Sequence, residues 1–191
     1  MSRRSTAYLA VAVVIVLCVV GVVIVAVAAG GSALAYEVNG TRVSQQTVDD
    51  QLDGLASTNA TKSVSHSSGT VDSTTTARLL NTNIVADLLQ GAAEQQDVRL
   101  TDADRSAGKA AAQASVGDNF DKLPDTYQAL LTKLYSYTSA LGLKDDTAIN
   151  TFLTPRISKA KVHVNPKYGF WNPRYGVCPP VGCQALAQPG S

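Results

Sequence analysis

The stretch "AYLAVAVVIVLCVVGVVIVAVAA", residues 7–29, carries no charge and constrains the chain more than any other feature. As a helix rising about 1.5 Å per residue, it is long enough to cross a hydrocarbon core of roughly 30 Å. Arg3 and Arg4 precede it, and no basic residue follows until Arg42. The positive-inside rule then puts residues 1–6 in the cytoplasm and the rest of the chain outside the cell membrane. The alternative is a cleaved signal peptide ending in "ALA", with Ala35 the last residue removed and a secreted product. The apolar run is longer than a usual signal core, which favours a single-pass anchor. Cys18 follows Leu17, whereas bacterial lipoprotein signals place a small residue there, so Cys18 reads as an ordinary residue of an apolar helix.

Beyond a short linker, residues 30–35, the composition becomes that of an ordinary domain. Of the 16 basic residues, Arg3 and Arg4 belong to the N-terminus, so the exported part falls one charge short of its 15 acidic residues. No basic stripe marks it, and nucleic acid is not an expected partner.

Residues 36–38, at the head of "YEVNGTRVS", read as a short strand followed by an Asn39-Gly40 turn, with Ser44 as a helix N-cap. Val48, Leu52 and Leu55 then repeat on one helical face. Residues 57–70 are small and polar and bury too little to offset chain entropy, so they read as a loop, with His66 solvated inside it. Ala77, Leu80, Ile84, Leu88 and Ala92 predict a helix capped by Asp72 or Ser73, with a single buried stripe, ending near Asp97. Thr101 opens another, whose small apolar face would be Ala103, Ala107, Ala110 and Ala114. Residues 117–123 read as a loop, and Pro124 suits the first turn of a helix carrying Tyr127, Leu130, Leu131, Leu134, Tyr137 and Leu141. Tyr135 falls off that stripe, and Gly142 is a plausible stop. A last short helix, residues 145–153, offers Ile149, Phe152 and Leu153 and is limited by Pro155.

"AKVHVNP" alternates, with Val162 and Val164 facing one way and His163 the other, toward solvent. A lone strand leaves its backbone groups unpaired. The remaining strand candidate lies at the other end of the domain, so the two ends are expected to pair. The predicted fold is mainly α: a helical bundle closed by a short two-stranded sheet, behind one transmembrane helix. "YGFWNPRYG" would fold back over that pair, with Phe170 and Trp171 covering apolar surface. Cys178 and Cys183 close a small loop in a tail, residues 174–191. Outside the cytoplasm the pair reads as a disulfide. A zinc site is the rival, but no other cysteine is near and His163 alone could not complete it.

Residues 36–173 resemble the N-terminal chaperone domain of the SurA, PpiD and PrsA group of exported foldases. The residues carrying the resemblance are "YEVNGTRVS", the helical middle, and "KVHVNPKYGFWNP", which is similar to a closing V-x-V-[ND]-P-x-Y-G-x-W seen in bacterial envelope proteins. The resemblance implies an ATP-independent holdase with an apolar cradle for unfolded or nascent exported polypeptides. Too few residues follow Pro173 for the parvulin isomerase domain that many members carry, so isomerase activity is not implied. A structural or adaptor module binding one envelope partner is the alternative.

Enzymatic signals are weak. His66 and His163 are poorly placed as general bases, no G-x-S-x-G elbow follows a strand, and no Gly-rich phosphate loop appears. The acidic pairs Asp49-Asp50 and Asp145-Asp146 suit helix first turns. No catalytic residue, cofactor or metal is expected. Exposed aromatics are the usual anchors for apolar segments, which makes Tyr135 and Phe152 the client-binding candidates.

Overall fold

The computed structural model describes residues 33–57, 73–180 and 182–183. The expected span at residues 7–29, the loop with His66, and Cys18 lie outside the described residues. Within them no helix is long and apolar enough to cross a membrane.

Strand β1 (Leu34–Val38) turns at Asn39-Gly40 into β2 (Thr41–Ser44), antiparallel to it. Both turn residues have positive φ, 50° and 92°, the backbone that a two-residue hairpin of right-handed twist requires. On its other side β1 takes β3 (Val162–Val164), with Tyr36 opposite Val164, Glu37 opposite His163 and Val38 opposite Val162. The ends of the domain therefore pair as expected, but the sheet has three strands in the order β2-β1-β3 rather than two. The Asn-Gly turn sends the chain back along β1 before the first helix starts, which adds the extra strand. The ladder continues past β3, because Asn39 N donates to Lys161 O at 2.9 Å while Lys161 N donates to Asn39 Oδ1 at 3.0 Å. Tyr36, Val38 and Val164 are buried, Val162 is half-buried, and His163 is exposed on the opposite face.

Strand β1 also begins earlier than expected, inside the supposed linker. Ala35 is fully buried and its carbonyl accepts from Asn165 N at 2.8 Å. The Leu34 carbonyl accepts from Asn165 Nδ2 at 2.8 Å.

Helix α1 (Gln45–Ser57) starts where Ser44 Oγ accepts the Thr47 N–H at 3.1 Å, and it buries Val48, Leu52 and Leu55. Helix α2 (Ser73–Gln95) is the centre of the domain. Its expected stripe is buried, but so are Thr76, Leu79, Asn83, Ala86, Leu89 and Ala93. A single stripe describes a helix with one neighbour, whereas α2 touches α1 and both ends of the domain, as well as the later helices. Asn83 is tolerated inside because its amide donates to Gln51 Oε1 and Leu79 O, each at 3.0 Å. The helix closes as Gln96 and Val98 N–H groups return to Ala93 O and Asp97 takes a φ of 54°.

Helix α3 (Asp102–Val116) opens on a reciprocal capping box between Thr101 and Asp104. Its expected face is wrong: Ala103, Ala107, Ala110 and Ala114 are all exposed, and the buried residues are Gly108 and Ala112. Alanine repeats mark several faces equally, and the tightest approach decides between them. A methyl at Gly108 would sit 2.5 Å from Ser136 N and 2.7 Å from Ser136 Cα, so only glycine lets the next helix come that close.

The stretch expected as a loop is a 3-10 helix (Gly117–Lys122) that buries Phe120. Helix α4 (Asp125–Ala140) buries Leu130 and Leu131 and half-buries Tyr127, Leu134 and Tyr137. Gly142, with a φ of 67°, sits in its closing turn, where Gly142 N donates to Ser139 O and Leu143 N to Thr138 O. Helix α5 (Asp146–Lys159), capped by the Asp145 carboxylate on Ala148 N at 2.8 Å, runs through Pro155 instead of stopping there. Pro155 and Thr151, whose carbonyl is deprived of its donor, are both exposed residues, and neighbouring side chains bond adjacent carbonyls: Thr154 Oγ1 to Asn150 O at 2.7 Å and Arg156 Nη1 to Phe152 O at 2.8 Å.

Strands β4 (Phe170–Asn172) and β5 (Gly176–Cys178) form a separate antiparallel hairpin. It crosses the domain boundary expected at residue 173, and Val177 joins the main core. Phe170 is exposed rather than covering apolar surface, because its strand position alternates with the half-buried Trp171. Cys178 and Cys183 are joined in a disulfide.

Candidate functional site

Two tyrosine–aspartate–lysine clusters tie the strands to the helices. In the first, Tyr36 OH donates to Asp87 Oδ2 at 2.8 Å, and Lys133 Nζ reaches Asp87 Oδ1 at 2.8 Å. The three residues come from β1, α2 and α4. Burial pushes the Tyr36 hydroxyl far above its ordinary range, and the Asp87 charge and hydrogen bond push the same way. In the second, Tyr168 OH donates to Asp49 Oδ1 at 2.7 Å, and Lys167 Nζ bonds Asp49 Oδ2 at 2.9 Å. Burial, then the bond to Asp49, pushes the Tyr168 hydroxyl up to about 12. Both tyrosines stay protonated at neutral pH and act as fixed donors. An upward shift is the wrong direction for a general base, and each cluster links separate parts of the fold.

The closing segment is held by side chains standing in for backbone. Asn81 on α2 accepts from Val177 N at 2.7 Å and donates to Val177 O at 3.3 Å, as a neighbouring strand would. Gly176 is needed beside it, because its φ is 80° and a methyl there would lie 2.9 Å from Asn81 Cγ.

Among the described residues, two clefts and an aromatic surface are open. The first cleft, of about 360 Å³, lies between α2 and α5, with Leu88 and Ala92 facing Arg156 and Lys159. The second, of about 500 Å³, lies between α3 and α4. Phe170 is 45% exposed and Tyr175 50%, and the Arg174 guanidinium lies 5.3 Å from the Tyr175 ring centre.

The client-binding candidates are not brought together at these openings. Tyr135 on α4 and Phe152 on α5 are both half-buried and packed against the core, and neither lines either cleft. The Arg156 guanidinium covers the Phe152 ring at 3.5 Å from its centre. Ser136 has a buried hydroxyl without a hydrogen-bond partner; it faces Gly108 across the helix contact and also lines the second cleft. Among the described residues no group of three or more His, Cys, Asp or Glu could hold a metal ion.

The sequence reading missed Asp87, Lys133, Asn81 and the Asp49–Lys167 pair. Asp49 was explicable as a helix-terminal acid, yet its partners lie more than a hundred residues away. No spacing signal exists for a contact of that kind. No protein family, curated protein or solved structure matches the chain.

Proposed function

We propose that the domain is a chaperone-like holdase module: it binds unfolded or nascent exported polypeptides outside the cytoplasm, without ATP, and residues 7–29 anchor it to the membrane. The observation that carries this reading is the register of β1 against β3. That pairing closes a helical insert between the two motifs on which the resemblance to SurA-type foldases rests. Both clefts combine apolar side chains with basic ones, a lining suited to short stretches of unfolded chain.

A second reading is favoured by the distribution of exposed aromatics. The large apolar side chains left exposed among the described residues, Phe170 and Tyr175, sit on one hairpin rather than around a broad cradle. A localised patch suits an adaptor that grips one envelope protein.

One comparison separates the two. The full chain at modest molar excess is added to several unrelated denatured proteins, and light scattering follows their aggregation. The holdase reading expects suppression for most of them. Failure with every client, together with a single stoichiometric partner recovered by crosslinking in intact cells and lost in a Phe170→Ala/Tyr175→Ala variant, overturns it in favour of the adaptor.

A further inference from the structure

We propose that the cleft between α3 and α4 is a binding site for a small carboxylic acid with an apolar, aryl or alkyl body. The inference is independent of whether the domain holds polypeptides.

The floor of the cleft is apolar. Phe120 is 2% exposed at its base, Leu100 is half-buried beside it, and Ala129 and Tyr137 complete the wall. A volume of about 500 Å³ is within the usual range for small-molecule sites. The Gly108 contact brings the two helices together at Ser136, which itself lines the cleft.

The rim is basic, and its charges are unequally engaged. Arg105 Nη1 holds the exposed Asp102 carboxylate at 3.0 Å, and Lys133 is bound to Asp87. Lys109, one turn beyond Arg105 on α3, has no carboxylate partner among the described residues. The acid in the lining, Asp125, sits in the first turn of α4, where the helix N-terminus offsets its charge. One unengaged ammonium suits one negative charge, not the two of a phosphate monoester. Gln128 and Thr132 add polar groups along the wall that can accept or donate to the head group. A carboxylate at Lys109 with its ring or chain on Phe120 and Leu100 satisfies both halves of the site.

Photo-crosslinking of the full chain in lipid bilayers tests this with 4-benzoylbenzoate as the probe and its neutral amide, 4-benzoylbenzamide, as the control. Peptide mapping should place saturable labelling on the segments bearing Leu100 and Ala129, with the acid labelling about tenfold more efficiently than the amide. Lys109→Gln should lower labelling by the acid about tenfold and leave the amide unchanged. Lys109 is exposed, and unchanged Trp171 fluorescence checks that the variant is folded. Equal labelling by acid and amide overturns the proposal, as does labelling scattered over the surface, no saturable labelling, or indifference to Lys109→Gln.

Discussion

Two glycine-to-alanine substitutions in helices should move stability in opposite directions, and the difference comes from one contact. In a helix interior, alanine is favoured over glycine by about 0.5–1 kcal/mol, because glycine loses more chain freedom on folding. Gly91 on α2 has nothing within 4 Å of the position a methyl would take. Gly91→Ala should therefore realise that gain nearly in full. At Gly108 the same methyl would meet the Ser136 hydroxyl and lie 2.5 Å from Ser136 N and 2.7 Å from its Cα. These are backbone atoms of a packed helix, so α3 and α4 must move apart by about 1 Å to restore contacts near 3.5 Å. Overpacking of this kind costs about 1–3 kcal/mol. Net of the helix gain, Gly108→Ala should lose up to about 2 kcal/mol, and because that gain is common to both sites the two variants should differ by the overpacking cost, about 1–3 kcal/mol. Urea unfolding followed by the fluorescence of Trp171, the single tryptophan, measures both without interference from the N-terminal apolar segment. Adding Ser136→Ala should not rescue Gly108→Ala, since the obstructing atoms are main-chain. A Gly108→Ala protein as stable as the Gly91→Ala protein would refute the close helix contact on which the packing of α3 depends.

Three further outcomes are expected. Asn81→Leu strips Val177 N–H and C=O of their partners in a buried position, so it should cost about 2–4 kcal/mol in the same unfolding assay and expose the hairpin to limited proteolysis. A chain beginning at Tyr36 lacks the buried Ala35 and the two carbonyls that Asn165 grips; it should be less stable by about 2–4 kcal/mol, and equal stability would remove any role for those residues in β1. Alkaline pH should unfold the domain: the Tyr168 hydroxyl ionises near 10.0 when free and about 12 in the fold, so its contribution is intact below pH 10 and lost between there and about 12. Tyr36 and Lys167, both shifted upward, act in the same direction, and Tyr168→Phe should flatten the fall measured from pH 9 to 12 without abolishing it.

The features that sequence reveals here are the local ones. Val48, Leu52 and Leu55 declare their helix by spacing alone, and Thr101 and Asp145 announce helix starts because a cap acts within one turn. The pairing of the two ends of the domain also follows from sequence, since a lone alternating segment must find a partner and few candidates existed. Errors arise where a neighbour decides. The outward turn of Ala103 and Ala107 depends on how near Ser136 comes, and the all-round burial of α2 depends on what surrounds it. Strand β2 was hidden because "TRVS" serves equally as a turn exit and as a strand, and only the hairpin register distinguishes them. The candidate clefts share this difficulty: Lys109 and Phe120 become neighbours of one opening only after α3 and α4 have docked.

The central position of β1 has a consequence for the order in which the molecule can be assembled. Its second partner is synthesised more than a hundred residues later, so a ribosome-bound chain carries a two-stranded ribbon with one side unfilled until residue 164 emerges. The thermodynamic penalty for so distant a closure is modest, since each doubling of the intervening length adds only about 0.6 kcal/mol. The delay is kinetic: every nascent length short of that residue exposes a backbone edge to strangers, and the edge of β1 is covered only when β3 arrives.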